Sequence, residues 1–343
     1  MPNRRAPAVL TDAVVDRELL PDPVLRAVIR RRVAARLRRA RRGTLADRAA
    51  ERSVLLRSRA AGPVTLHTGA ANDQHYEVPT DFYELLLGPN LKYSSGYWPE
   101  GVDDLAASET AMLDLTATRA GLADGQRVLD LGCGWGAFAL WAAARYPDSE
   151  ITAVSNSATQ RTHIEKQAAE RGLDNVEVVT GDVADLTFPD RSFDRVVSVE
   201  MLEHVANHRE LLRRVAGWLD HDGRLFVHVF THRDAWWVFD HEAPQEWMAR
   251  WFFTGGILPS DDLLLHEQRD LRVADHWMLG GDHYQRTLEA WLSRLDAHRA
   301  EADRLLDPRA VARWRVFLLA SAELFGFRRG TEFGVSHYLF TKP

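Results

Sequence analysis

The sequence predicts an α/β protein, a mostly parallel sheet with helices on both faces. Three observations point there. Short apolar runs alternate with helically spaced ones between about residues 127 and 230, and one of those runs ends in a tight cluster of glycines. The 343 residues, 45% of them hydrophobic, are enough for one large core with an appendage or for two modest domains.

Taken in order, residues 22 to 59 read as one helix, because Leu25, Ile29, Val33 and Leu37 recur every fourth residue between arginines. Thirteen arginines stand between residues 26 and 59 against Asp47 and Glu51 alone, a local charge of about +11 in a chain whose net charge is −6. Only one narrow face of this helix is apolar. It suits an appended helix with a solvated basic face; contact with an anionic membrane surface is the sharper alternative, and RNA contact a third. Residues 61 to 72 carry Gly and Pro without periodicity and read as a linker. The organisation is thus a basic helical segment and linker over 1–71 and a main domain over 72–343.

Within that domain, strand-like runs at 127–131, 151–154, 176–180, 194–199 and 224–230 alternate with helical runs at 137–145, 160–171 and 208–219. Residues 231 to 290 break the alternation. Their aromatics, among them Trp236, Trp237, Phe239, Trp247, Trp251, Phe252 and Phe253, suit either plain core or a hydrophobic lid inserted over the ligand edge of the sheet. No run of about 18 apolar residues and no secretory leader is present, so a cytoplasmic location is the default expectation. A single cysteine, Cys133, excludes an internal disulfide and a cysteine-cluster metal site, and no metal is expected.

The segment Val128-Leu129-Asp130-Leu131-Gly132-Cys133-Gly134-Trp135-Gly136 is a short buried strand followed by a loop whose backbone can turn sharply and approach a ligand. Its spacing is Gly-x-Gly-x-Gly, unlike the Gly-x-Gly-x-x-Gly of dinucleotide enzymes. The next strand ends in Ser155-Asn156-Ser157 instead of the acid that a nicotinamide site wants, yet an amide and a hydroxyl can bond a ribose diol. After the third strand, Gly181-Asp182-Val183 suits an adenine, with a carboxylate for the exocyclic amine and an apolar neighbour for the ring. Taken singly, each of these polar residues also fits a turn or helix cap.

Preceded by Val-Leu-Asp-Leu, the glycine spacing resembles the first motif of class I methyltransferases, with a Rossmann-like seven-stranded sheet and S-adenosyl-L-methionine as cofactor. More selective segments resemble the coclaurine N-methyltransferase-like branch of the cyclopropane fatty acid synthase superfamily. They are Leu20 to Arg26, His75-Tyr76-Glu77-Val78-Pro79, Leu91 to Gly96, Ser155 to Gln160, Val199-Glu200-Met201-Leu202-Glu203-His204, Phe252 to Gly256 and Ala322 to Gly326. The resemblance implies cofactor contacts at Tyr93, Ser94, Gly132, Gly134, Asn156, Gln160, Asp182 and Val183, and an active-site set of Glu200, Glu203 and His204.

The residues themselves agree with that set, since Glu200 and Glu203 are three apart and His204 follows where the fourth strand gives way to a helical turn, so that all can face one pocket. A helix N-terminus welcoming carboxylates explains the same cluster without chemistry. Methyl transfer to an amine requires a neutral nucleophile in line with the methyl group. Glu203 and His204 are therefore expected as base and amine-orienting pair, with Glu200 nearer the cofactor or substrate. His228, Phe230, Trp236 and Tyr284 are expected to line the substrate pocket, although His228 and Tyr284 also suit an ordinary core. The expected partner is a small-molecule amine.

Two alternatives remain from the resemblance. Lipid enzymes of the superfamily hold bicarbonate on five groups, whose matching positions here are Ser95, Glu203, His228, Phe230 and Tyr284; cysteine and isoleucine are thus replaced at two of them. A non-catalytic cofactor-binding protein is the other. Nucleic acid is not expected as a partner, because Glu200 to His204 stands where base-amine methyltransferases carry Asn/Asp-Pro-Pro-aromatic, and no basic patch with interleaved aromatics occurs beyond the arginine run.

Overall fold

The computed structural model describes residues 12–66, 78–240, 242 and 246–343. His75, Tyr76 and Glu77, and the linker after residue 66, lie outside the described residues. After a helical stretch at residues 12–16 come α1 (Asp22–Ala40) and α2 (Leu45–Ala60), followed by α3 (Thr80–Leu86) and α4 (Leu105–Ala120). The alternating region gives β1 (Arg127–Leu131), α5 (Ala137–Arg145), β2 (Glu150–Ser155), α6 (Ala158–Arg171), β3 (Val176–Thr180), β4 (Phe193–Val199), α7 (His208–Trp218) and β5 (Leu219–His232). Then come β6 (Trp237–Val238), α8 (Trp247–Trp251), β7 (Ile257–Leu258), β8 (Arg272–Gly280), α9 (Gly281–Ala297), α10 (Arg299–Leu305), α11 (Pro308–Phe325) and β9 (Phe333–Thr341).

Seven strands form one sheet in the order β3-β2-β1-β4-β5-β9-β8, in which β9 runs antiparallel to both neighbours. The strands are buried on both sides, and the two-residue period splits them between two cores. Val128, Ile151, Val197 and Phe226 pack with α4, α5 and α6. Leu129, Val154, Val196 and Leu225 pack with Leu211, Leu212, Val215 and Trp218 of α7. Side chains cap the starts of three of these helices: Asp104 accepts from Ala107 N, Ser157 from Gln160 N and Asn207 from Glu210 N.

The one helix expected over 22 to 59 is two. Thr44 caps α2 reciprocally with Asp47, each side chain accepting from the other's backbone N–H, and that capping box starts a new helix inside the arginine run. Nor is the basic face of α1 simply solvated. Arg26 pairs with Glu289 and Glu323, Arg30 with Glu323, Arg36 with Glu246, and just past the helix Arg41 pairs with Asp234 and Glu332. Val33 and Leu37 of α1 share a core with α3, α9 and α11.

Of the stretch 231–290, residues 231–232 end β5, 272–280 form the edge strand β8 and 281–290 belong to α9. Between them, β6 and β7 make a two-stranded ribbon, and Phe252 stacks on Phe317 of α11 at 4.4 Å, which pins this segment over the carboxyl ends of the strands. Among the described residues, no helix is long and apolar enough to cross a membrane.

Candidate active site

Two adjoining cavities lie beyond the carboxyl ends of β1, β2, β4 and β5, where open parallel sheets bind ligands. The larger, about 640 Å³, is walled by the loop after α3, the glycine loop, α1, the aromatic segment and α11. The smaller, about 90 Å³, is walled by the ends of β2 and β3. Tyr93 and Ser94 line the first, Asn156, Asp182 and Val183 the second, and Gly132, Gly134, Gln160, Glu200 and His204 line both.

The glycine loop turns because Gly132 and Gly134 take φ of +88° and +54°, a region that side chains avoid. A Cβ added at Gly134 would meet nothing within 4 Å, so the backbone there faces open cavity. Beside it stands Asp130, fully buried, whose Oδ2 has no hydrogen-bond partner and whose pKa burial pushes up to about 7. An orphaned acceptor in the cavity wall suits a cationic amine. Opposite in charge, buried Lys92 donates to Ser94 Oγ at 2.5 Å and Ser95 O at 2.7 Å, and burial pulls its pKa down to about 8. An ammonium and a carboxylate in one wall fit the amino-acid end of a ligand whose nucleoside end reaches the smaller cavity. At that end Asp182 Oδ1 accepts from Ala184 N at 2.8 Å, so the cap expected of a turn acid is present as well.

The three-residue turn Leu202–His204 is a 3₁₀ turn entered from Glu200 at φ +47°, a left-handed conformation rare for glutamate. That entry separates the acids. Glu200 and His204 face the cavities, whereas Glu203 lines neither and is wholly buried. Its Oε1 accepts from Phe230 N at 3.1 Å and its Oε2 has no partner. Burial, with the charge of Glu200 adding to it, pushes the Glu203 carboxyl well above the usual range.

Three donors converge on Glu200. Ser95 N–H reaches Oε1 at 2.9 Å, His228 Nε2 reaches Oε1 at 3.2 Å and the Tyr284 hydroxyl reaches Oε2 at 2.5 Å. Burial raises the Glu200 pKa; Lys92, Tyr284 and Ser95 act against it in turn. His204 stacks on Phe253, ring centres 5.5 Å apart.

The substrate-pocket residues divide. Phe230 and Tyr284 line the larger cavity. His228 does not; it sits fully buried behind Glu200. Trp236 does not either, because β6 begins one residue later and Trp237 takes the cavity-facing place. Asp130 and Lys92 join the site without having been singled out, and Trp237, named only among the lid aromatics, joins it in place of Trp236. The first two stand in quoted motifs, which was the only signal for them.

Residues 66–332 match the mycolic acid cyclopropane synthetase family. The chain is 36% identical over 341 residues to (S)-coclaurine N-methyltransferase of Thalictrum flavum subsp. glaucum, covering 94% of this chain and 93% of that one. The crystal structure of a coclaurine N-methyltransferase bound to N-methylheliamine and SAH superimposes with a TM-score of 0.91 at 34% identity, over 97% of this chain and 99% of that one. The cyclopropane synthase MmaA2 from Mycobacterium tuberculosis gives a TM-score of 0.71 at 26% identity, over 81% of this chain and 99% of that one. With the seven-stranded sheet and the glycine loop, these matches establish that the chain belongs to the mycolic acid cyclopropane synthetase family and is an S-adenosylmethionine-dependent methyltransferase.

Proposed function

We propose that this enzyme methylates the nitrogen of a small amine with an apolar or aromatic body. One observation carries the reading: a carboxylate, Glu200, stands at the junction of the two cavities, at the foot of an otherwise largely apolar chamber. The N-methyltransferase named above supports it. Tyr93, Ser94, Gly132, Gly134 and Gln160, with Asp130, would hold the methionine portion of the cofactor, Asn156 the ribose, and Asp182 with Val183 the adenine. When bound, the cofactor supplies an electrophilic methyl group on a sulfonium.

The protein's own groups then have three tasks. Glu200 attracts the incoming ammonium and orients it. His204, beside it, takes the proton that must leave before nitrogen can attack. Trp237, Phe239, Phe253 and Phe325 exclude water and pack the amine's apolar body. Glu203, wholly buried and outside both cavities, supports the backbone at Phe230 and is not the base in this scheme.

Bicarbonate chemistry on lipid finds little room here. Ser95 N–H, His228 and Tyr284 all bond to Glu200, and Phe230 N–H bonds to Glu203, so the matching polar groups are taken by the chain's own carboxyls. Membrane contact through α1 would fall to Arg31, Arg32, Arg38 and Arg39, which make no ion pair among the described residues.

Incubation with cofactor carrying a deuterated methyl group, offering tetrahydroisoquinolines and arylalkylamines beside unsaturated phospholipid vesicles, tests the reading by mass spectrometry. Label on the amine nitrogen is expected. Label on lipid alone, with loss of the alkene, would overturn it.

A further inference from the structure

Behind Glu200 a line of buried polar groups crosses the sheet. His228 on β5 and His337 on β9 face each other as directly paired residues, both fully buried. His337 Nε2 lies 3.0 Å from His228 Nδ1, and His337 Nδ1 lies 2.7 Å from Arg119 Nη1 on α4. Arg119 in turn stacks over Trp277 at 4.7 Å, on the strand beyond His337. The line therefore runs Arg119, His337, His228, Glu200, and it ends in the cavity wall.

Its direction is set at one end. A guanidinium has only donors, so His337 Nδ1 must accept and the ring's proton must sit on Nε2. That proton is donated to His228 Nδ1, which forces the proton of His228 onto its own Nε2. Resting on the reading of Glu200 as the amine-binding carboxylate, we propose that Arg119 and His337 are positioning residues, which act through His228 to fix its tautomer and aim its N–H at Glu200.

Both imidazoles are neutral in this scheme. Burial holds His228 well below the ordinary range, with the charges of Lys92 and Arg119 adding to it; burial does the same for His337, with His228, Arg119 and Lys92 adding. The groups that face Glu200 are Lys92, Ser95, His204, His228 and Tyr284, with Glu203 nearby. Of these, His228 is the neutral donor whose proton depends on a residue two side chains away. A second consequence follows from the guanidinium's lack of a lone pair: the line cannot pass a proton outward. The proton released by the amine leaves on the His204 side of the cavity.

Two measurements test this together. In protein labelled with ¹⁵N-histidine, two-bond ¹H–¹⁵N spectra should show His228 and His337 neutral with the proton on Nε2, their signals identified by loss in His228→Gln and His337→Gln. Arg119→Met should abolish the fixed pattern at His337. In parallel, the carboxyl titration of Glu200, followed by ¹³C NMR in glutamate-labelled protein and assigned by its loss in Glu200→Gln, should move to higher pH by about one pH unit in Arg119→Met and His337→Leu, because the carboxylate loses a donor that favours its ion. His337→Gln, whose amide N–H can replace Nε2–H, should keep the wild-type Glu200 titration, and binding of S-adenosylhomocysteine should change less than twofold in all of them. A proton on His228 Nδ1 in the wild type overturns the proposal. So does an unmoved Glu200 titration in Arg119→Met and His337→Leu, whatever happens to thermal stability. If the wild type methylates no amine, the proposed acceptor falls, and the spectra alone decide the direction of the line.

Discussion

Replacing Glu200 by glutamine removes a charge and keeps a shape. Ser95 N–H and His228 Nε2–H both point at Oε1, so an amide oxygen placed there satisfies both, and the Tyr284 hydroxyl turns from donor to acceptor toward the new NH₂. The left-handed backbone at φ +47° strains glutamine no more than glutamate. Folding and cofactor binding should therefore survive. What is lost is the charge-assisted bond to the ammonium, worth about 1.5–3 kcal/mol, or roughly a 10- to 150-fold drop in kcat/KM. Steady-state kinetics on the true amine, with calorimetric titration of S-adenosylhomocysteine as the control, reads this directly. A kcat/KM within twofold of wild type, cofactor affinity intact, would refute the role given to Glu200.

Gly134→Ala places a methyl group at φ +54° into the open cavity, costing about 1 kcal/mol in backbone strain and weakening S-adenosylhomocysteine at least roughly tenfold by occlusion; unchanged affinity would remove the loop from the cofactor site. Glu323→Ala leaves Arg26 without one of its two carboxylates and Arg30 without its partner, so an unfolding free energy lower by about 2 kcal/mol in urea melts and a raised KM for the amine are expected, with cofactor affinity unchanged. His208 is buried and its pKa is pushed down from 6.5 to about 4, mainly by burial. Its neutral form stabilises the fold fully above pH 6.5 and that stability is lost as pH falls toward 4, about 2 kcal/mol by pH 5. Urea melts at pH 7.5 and pH 5 should show His208→Gln losing less on acidification than wild type; equal losses would contradict the assignment.

Local features were legible. The glycine loop and the strand-like runs of β1, β2 and β4 are written in neighbouring residues, and so are Asn156 and Asp182 at the strand ends; the cavity-facing Tyr93 and Ser94 came from the family resemblance alone. The misplacements have local causes too. Glu203 was taken to share a face with Glu200 by helical spacing, but the backbone enters a 3₁₀ turn from a left-handed residue and the spacing rule does not apply. Trp236 and Trp237 differ by one residue at a strand start, and one residue exchanges faces. The break between α1 and α2 is a capping box hidden in a uniform run of arginines. Arg119 and His337 left no trace at all, since their partnership spans 218 residues and is made by sheet pairing and helix packing.

Helix α1 has a consequence for how such an enzyme diversifies. Leu25, Ile29 and Val33 wall the larger cavity from a segment that precedes the 66–332 stretch shared with the family. None of the groups that would handle a proton or a methyl stands there. Change in that helix reshapes one wall of the chamber that receives the acceptor, alongside the aromatic wall of Trp237, Phe239 and Phe253, while the sheet edge keeps its chemistry intact.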